Sequence, residues 1–399
     1  MGKGGDNRKG GVIPISATST GVPPSTIIDS TAATKSGKTN IIGSSNDSTS
    51  DTAATTTARP WYIRGGFHVN VFGMGMNVAL PPIILIMTAS ASSLHAIYTP
   101  TQIFVVALVL HILLSAMVGI RTFFCLVPVP LYLTTLLIVP LTFETTTTSS
   151  SVEVLLTIGL AFFIAIWRIG ICMSVCLHRY ASHAAFKCGP ATRLFLNIVG
   201  CLANQGGPIW WSSQHRCHHK HCDMPRDPHS PIQHGVEKAF AFFSVGYDAV
   251  EEEFAPKHND TWVLRLLDTF AFSVCSLELA MSYYLFGREG LFVSYTSMWI
   301  CQTGSLWFNI TNHPPGEHPE KACQASNGKG KATGYYPAFY FLDFICPFFS
   351  GLASEAAHAD HHVHFMLAKR DKYDVMYYTF VWPMELLGLI WDVKSSPPE

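Results

Sequence analysis

The chain has 399 residues and a formal net charge of −1, and only 13% of its residues are charged against 48% apolar. A soluble globular domain carries about 25% charged residues, so the composition points to a membrane protein; with no long basic run, nucleic acid is excluded as a partner. The 11 cysteines are scattered with no CxxC pair, which gives neither a disulfide framework nor a zinc ribbon.

Residues 1–60 are rich in Ser, Thr and Gly. They hold too few large apolar side chains to offset the entropy of ordering and are read as a disordered tail. The tail lacks the apolar core of a signal peptide, and Asp6, Asp29, Asp47 and Asp51 argue against a transit peptide. Residues 61–151 follow as a region of N-terminal membrane spans, and residues 152–394 as the chemically informative region. A helix crossing about 30 Å of hydrocarbon needs about 20 apolar residues. Spans are expected over 74–97, 101–120, 123–142 and 152–177, then 265–286 and 290–309. Arg59, Arg64, Arg121 and the Lys/Arg-rich stretch 178–264 place the tail, that stretch and the C-terminus in the cytosol by the positive-inside rule. The short apolar stretch 335–351, which contains Asp343, is expected at the membrane interface. The expected fold is therefore all-α and integral to the membrane: a multi-span helical bundle topped by a cytosolic helical cap.

All but three of the 18 histidines lie after residue 177. Four elements stand out: His178-Arg-Tyr-Ala-Ser-His183, His215-Arg-Cys-His218-His219, Asn309-Ile-Thr-Asn-His313 and His358-Ala-Asp-His361-His362. On a helix, positions i, i+3 and i+4 share a face. Each HxxHH box therefore presents three imidazoles to one side. His178 and His183, five apart, fall about 140° round an α-helix and reach toward different points. Nine imidazoles from four segments can enclose two metal ions; imidazole suits iron, zinc, copper and nickel, so ligand type does not choose among them. Glu355 and Asp360 are expected to hold the free ring N–H of ligating histidines. The isolated His68, His95, His111, His234 and His258 are read as structural, and His221, His229 and His364 as supporting or surface residues. Cys217 and Cys222 offer a minor alternative zinc site.

These boxes resemble the integral-membrane fatty acid desaturases, most closely the acyl-CoA Δ9 (stearoyl-CoA type) branch. The likeness is carried by HRYASH, GPIWWSSQHRCHHKHCDMPRDPHSP, SVGYD, NxxxH, HxxHH and a closing ELLGLIWDVK, over about 152–394. The resemblance implies a di-iron centre held by His178, His183, His215, His218, His219, His313, His358, His361 and His362, with Asn309 contacting one metal through water. It also implies that Gln205, Trp211 and Trp307 line a bent acyl tunnel, Trp307 being one residue out of step. The sequence departs from the family where Ala353-Ser-Glu355 replaces a Gly-Glu-Gly lead, where Val363-His364-Phe365 replaces Phe-Pro, and in an added stretch at 316–333.

The implied reaction is O2-dependent dehydrogenation of a saturated acyl chain, acyl-CoA or another acyl lipid, to a cis alkene. Electrons come from outside, because no flavin or nicotinamide motif is present. The implied donor is cytochrome b5 with its reductase in the endoplasmic reticulum, or ferredoxin in a plastid. One rival is a lipid or sterol hydroxylase or ketolase on the same scaffold. The other is a membrane metal transporter, which should line a path with ionisable residues; the spans hold few (His111, Arg168, Asp268, Glu278). Asn309-Ile-Thr311 is also a glycosylation sequon. It needs a lumenal Asn309, whereas the metal reading needs a cytosolic one.

Overall fold

The computed structural model describes residues 151–236, 239, 250–327, 348 and 350–395. The tail, the three spans expected over 74–142 and most of the stretch 335–351 lie outside the described residues. What is described is mostly helical.

Helix α1 opens as an α-helix, Ser151–Trp167, and continues without a break as a π-helical segment, Arg168–Ser182. Leu155–Ser182 is long and apolar enough to cross a membrane. Its first half leaves Leu155, Leu156 and Phe163 exposed, while the π-helical half is buried throughout. A strand pairing of two residues each follows from β1, Lys187–Cys188, to β2, Ile390–Trp391, antiparallel with Cys188 opposite Ile390. It is a small departure from an all-α fold, and it ties the C-terminal segment to the end of α1.

Helix α2, Pro190–Cys201, and helix α3, Pro208–His221, each start on a proline, whose fixed φ suits the first helical turn. The start of α3 is fixed further by Asp268, which accepts from the backbone N–H of Ile209 (2.8 Å) and Trp210 (3.0 Å). A carboxylate there satisfies orphan donors and complements the helix dipole. The close approach requires Gly207, because a Cβ would lie 2.0 Å from Asp268 Oδ1. Asp268 is carried on α5, Trp262–Thr269, beyond the short α4, Pro231–His234.

Helix α6, Ala271–Thr311, breaks at Gly287, where φ is 65° and ψ −148°. That left-handed φ is open to glycine and strained for other residues. Ser294 donates to Glu278, 16 residues earlier. A straight helix would separate the two by about 24 Å, so the chain reverses at Gly287 and α6 is a helical hairpin. Its halves cover the residues expected as spans over 265–286 and 290–309, the first of which is interrupted at Phe270, between α5 and α6; among the described residues, however, only Leu155–Ser182 is long and apolar enough to cross a membrane. Both halves pack on α1 through Ala161, Cys275, Leu279, Leu291, Tyr295 and Met298. Arg168 donates to Glu278 (2.7 Å) and Ser297 (2.8 Å), pinning α1 to the hairpin.

Last come α7, His358–Val363, a π-helical turn Tyr377–Val381 and α8, Trp382–Leu386. The fully buried Arg179 holds this region to α1, donating to Asp374 Oδ2 (2.6 Å) and to the carbonyls of Ala368 (2.6 Å) and Ser354 (3.2 Å).

Candidate metal centre

The four histidine elements converge. His178 and His183 come from the π-helical end of α1, and His215, His218 and His219 from α3. His313 sits just past α6, and His358, His361 and His362 lie on α7. Their ring nitrogens gather into two groups, each with all ligating atoms within 4.8 Å of one another. One contains His178, His183, His215, His219 and His361; the other contains His218, His313, His358 and His362.

His178 and His183 share the first group rather than reaching apart. The reason is local. The His183 N–H donates to the His178 carbonyl at 3.2 Å, an i→i+5 bond. In a π-helix that repeat stacks residue i+5 near residue i, whereas an α-helix would have turned them away from each other.

Each HxxHH box keeps its imidazoles on one face but divides them. His215 and His219 serve the first group and His218 the second; His361 serves the first, His358 and His362 the second. Neighbouring Nε2 atoms lie 2.7 Å apart for His178 and His361, 2.9 Å for His183 and His215, and 3.0 Å for His219 and His361. In the second group the spacings are 3.0 Å for His313 and His358 and 3.2 Å for His358 and His362. Nitrogens about 2.1 Å from a shared ion, a usual metal–imidazole distance, would sit about 3.0–3.4 Å from one another. Four of the five spacings fall in or close to that range and only His178–His361 is tighter, so the donor sets fit metal ions. The buried Nε2 of His218, which has no hydrogen-bond partner among the described residues, fits too.

The opposite ring nitrogens are held by carboxylates. His218 Nδ1 is 2.8 Å from Asp227 Oδ2, His313 Nδ1 2.8 Å from Asp223 Oδ2, and His178 Nδ1 3.3 Å from Glu355 Oε1. Donation from Nδ1 leaves each Nε2 lone pair facing inward, the usual arrangement around a metal. Glu355 thus takes the expected role. Asp360 does not: it accepts from Asn327 at the surface instead. Asp223 and Asp227 fill the vacant roles, and their signal was the pair of acids just after the second box.

At most of these rings the electrostatics favour the neutral form that a metal ligand needs, and His218 is the exception. Burial first, then repulsion between rings, pushes His215, His219, His358 and His362 well below the usual imidazole range. Burial and then Arg370 do the same to His361. His218 is raised, because Asp227 outweighs the burial that opposes it. Despite burial, the facing histidines hold Asp223, Asp227 and Glu355 below the usual carboxylate range.

A narrow cavity of about 70 Å³ lies against both groups, with His178, His215, His218 and His358 in its wall. Gln205 and Trp211 line it, joined by Trp211 Nε1 donating to Gln205 Oε1 at 3.0 Å, and Trp211 stacks on His215 with centroids 4.8 Å apart. Asn309 lines it as well, and its amide donates to the His229 carbonyl at 3.2 Å. Trp307 packs with Ile209, Leu306 and Ile310 and is not part of the wall; its neighbours Ser305, Leu306 and Phe308 are. His229 stacks on His218 at 4.5 Å and is pushed down to about 3 by burial and by that neighbour. His221 lies apart, against Phe254. Cys222 is not a free thiol; it is disulfide-bonded to Cys323, a pairing the spacing of the cysteines did not suggest.

No family model matches the chain. It is 28% identical over 273 residues to a hex-5-enoyl-[acyl-carrier protein] acetylenase of Moorena producens (strain JHB), covering 61% of this chain and 78% of that protein. It is 34% identical over 137 residues to an acyl-CoA 5-desaturase of Anemone leveillei and 29% identical over 143 residues to an sn-1 stearoyl-lipid 9-desaturase of Anabaena variabilis. Those matches cover 32% and 35% of this chain, and 42% and 48% of the relatives, less than half of either. The helical scaffold, the two histidine groups and these similarities together place the chain's relatives, at modest identity, among the fatty acid desaturases of several types.

Proposed function

We propose that the chain is an oxidoreductase that desaturates a fatty acyl chain, and that His178, His183, His215, His218, His219, His313, His358, His361 and His362 bind two iron ions, with Asn309 near the second. The observation that carries this is the convergence of five and four imidazoles into two groups, four of whose rings, His178, His215, His218 and His358, form part of the wall of one apolar cavity. Bound iron would supply the redox chemistry by which O2, two electrons and two protons remove two hydrogens from adjacent carbons, giving an alkene and two waters.

The protein's own residues do the rest. Asp223, Asp227 and Glu355 fix the tautomer and aim of His313, His218 and His178. Trp211, held by Gln205, presses against His215 and forms the wall that would orient the acyl chain beside the metals. Leu306, Phe308 and Met173 keep water from that wall.

The finer reading is a Δ9-like acyl-CoA substrate, electrons from cytochrome b5 and its reductase or from ferredoxin, and a multi-pass protein of the endoplasmic reticulum with its metal face cytosolic. The test is expression in a desaturase-deficient yeast with mass-spectrometric analysis of lipids. Monounsaturated acyl chains lost in a His361→Ala variant are expected. Hydroxylated chains in place of alkenes, or no new product from well-expressed protein, would overturn the proposal.

A further inference from the structure

The disulfide between Cys222 and Cys323 joins elements 101 residues apart, with Cα atoms 5.0 Å apart. Cys222 caps the C-terminus of α3, directly after the second histidine box, and Cys323 lies in the segment that follows His313. Both sulfurs touch the second histidine group. Cys222 Sγ is 3.9 Å from His313 Nδ1, and Cys323 Sγ is 3.8 Å from His362 Nδ1.

The residues after the two cysteines meet as well. Asp223 Oδ2 accepts from the Gln324 backbone N–H (2.9 Å) as well as from His313 Nδ1 (2.8 Å), while Oδ1 accepts from Ser230 (2.6 Å). The Ser326 N–H returns the segment to the end of α6, donating to the Asn312 carbonyl at 2.9 Å. The bond therefore clasps the 314–327 segment to α3 at the carboxylate that orients His313.

We infer that Cys222 and Cys323 form a reversible disulfide that governs how tightly the second histidine group holds its metal. The inference rests on the metal reading proposed above. On the cytosolic face that reading requires, thiols are ordinarily kept reduced, so a cysteine pair there is poised to switch. Oxidation by a peroxide proceeds through attack of one thiolate on peroxide oxygen, giving a sulfenic acid and releasing water or hydroxide. The second thiol then displaces the sulfenic oxygen as water and forms the S–S bond. In sum two thiols lose two electrons and two protons, and hydrogen peroxide becomes two waters. A dithiol reverses the step by exchange through a mixed disulfide. Once cleaved, two separate thiols cannot share the space of a bonded pair. Each backs toward its neighbouring imidazole, and the Asp223–Gln324 contact loses its covalent support.

The test uses full-length, iron-loaded protein in detergent, treated with hydrogen peroxide or with dithiothreitol, then acid-quenched and alkylated. A Cys222–Cys323 linked peptide is expected after peroxide and two alkylated cysteines after dithiothreitol. In a chelator challenge, about half of the iron should leave about tenfold faster from the reduced protein, the lower end of the effect of losing an outer partner of a metal ligand. Oxidised Cys323→Ser should behave as reduced wild type, and Cys188→Ser, which replaces a free cysteine in β1, as wild type given the same treatment. Equal iron loss from oxidised and reduced wild type, or no linked peptide after peroxide, overturns the inference without touching the metal reading. Iron held by neither form overturns both.

Discussion

His218 points its two ring nitrogens at two different environments: Nδ1 meets Asp227 Oδ2 at 2.8 Å, and Nε2 is buried facing the second histidine group with no hydrogen-bond partner among the described residues. Asp227 also accepts from the backbone N–H groups of Asp223 (2.9 Å) and His229 (3.1 Å), so the carboxylate is anchored before it meets the ring. Asp227→Asn keeps the shape and loses the charge. It should lower iron affinity and desaturation by about 10–100-fold, read from bound iron per molecule and product formed. Unchanged iron binding would show that Asp227 serves folding alone.

Replacing a converging histidine should be harsher. His178→Ala, His218→Ala, His313→Ala and His361→Ala should each abolish product and reduce bound iron. His221→Ala should stay near wild type, since that ring packs on Phe254 away from both groups. An active His361→Ala, or a dead His221→Ala at equal expression, would refute the ligand set.

Acid should destabilise the metal-free protein. The histidines pushed below their ordinary value bind a proton more readily when unfolded, so the stability they confer is present above about pH 6.5 and is lost as pH falls below it. His229, at about 3, loses its share between those two values, and His258, pushed by burial down to about 4, acts in the same direction. Asp227 and Glu355, held low, add losses at more acid pH. The melting temperature of apo protein in detergent should hold level from pH 7.5 to about pH 6.5 and fall from there to pH 5; a flat profile would contradict the burial of these rings.

The pair that pins α1 to the hairpin invites a cycle. Arg168 is buried, and the Glu278 side chain is 27% exposed. Arg168→Leu strands Glu278 and Ser294 and should cost about 3 kcal/mol or more, whereas replacing both charges with Leu should cost less, because no uncompensated ion remains. Urea or thermal unfolding in detergent measures both; a double variant worse than the single would contradict the pairing.

Asn309 should carry no glycan. It is half-buried, lines the cavity and donates to the His229 carbonyl, so a sugar there would displace the wall. Glycosidase treatment should produce no mobility shift assignable to this site. A glycan mapped to Asn309 would put His313 on the lumenal side and remove the second group.

The HxxHH boxes were legible because their spacing matches the helices that α3 and α7 adopt. The shared destination of His178 and His183 was not, because the apolar run before them reads equally well as an α-helix and the wider turn shows only in the backbone. Asp223 and Asp227 stood in plain view beside the second box, but their aim depends on the turn after α3. Cys222 and Cys323 are brought together only by the fold, and the one-residue offset at Trp307 coincides with its neighbours Leu306 and Phe308, not Trp307 itself, lining the cavity. The spans expected over 74–142 lie outside the described residues.

His218 and His219 are sequence neighbours that belong to different groups, as are His361 and His362. Adjacent helical residues differ by about 1.5 Å along the axis and about 100° around it, and no side-chain length adjusts that offset. The backbones of α3 and α7 therefore act as two rulers laid across the same gap. Neither helix can slide by a residue without sending an imidazole to the wrong group, so the division between the two groups is inherited from helical pitch.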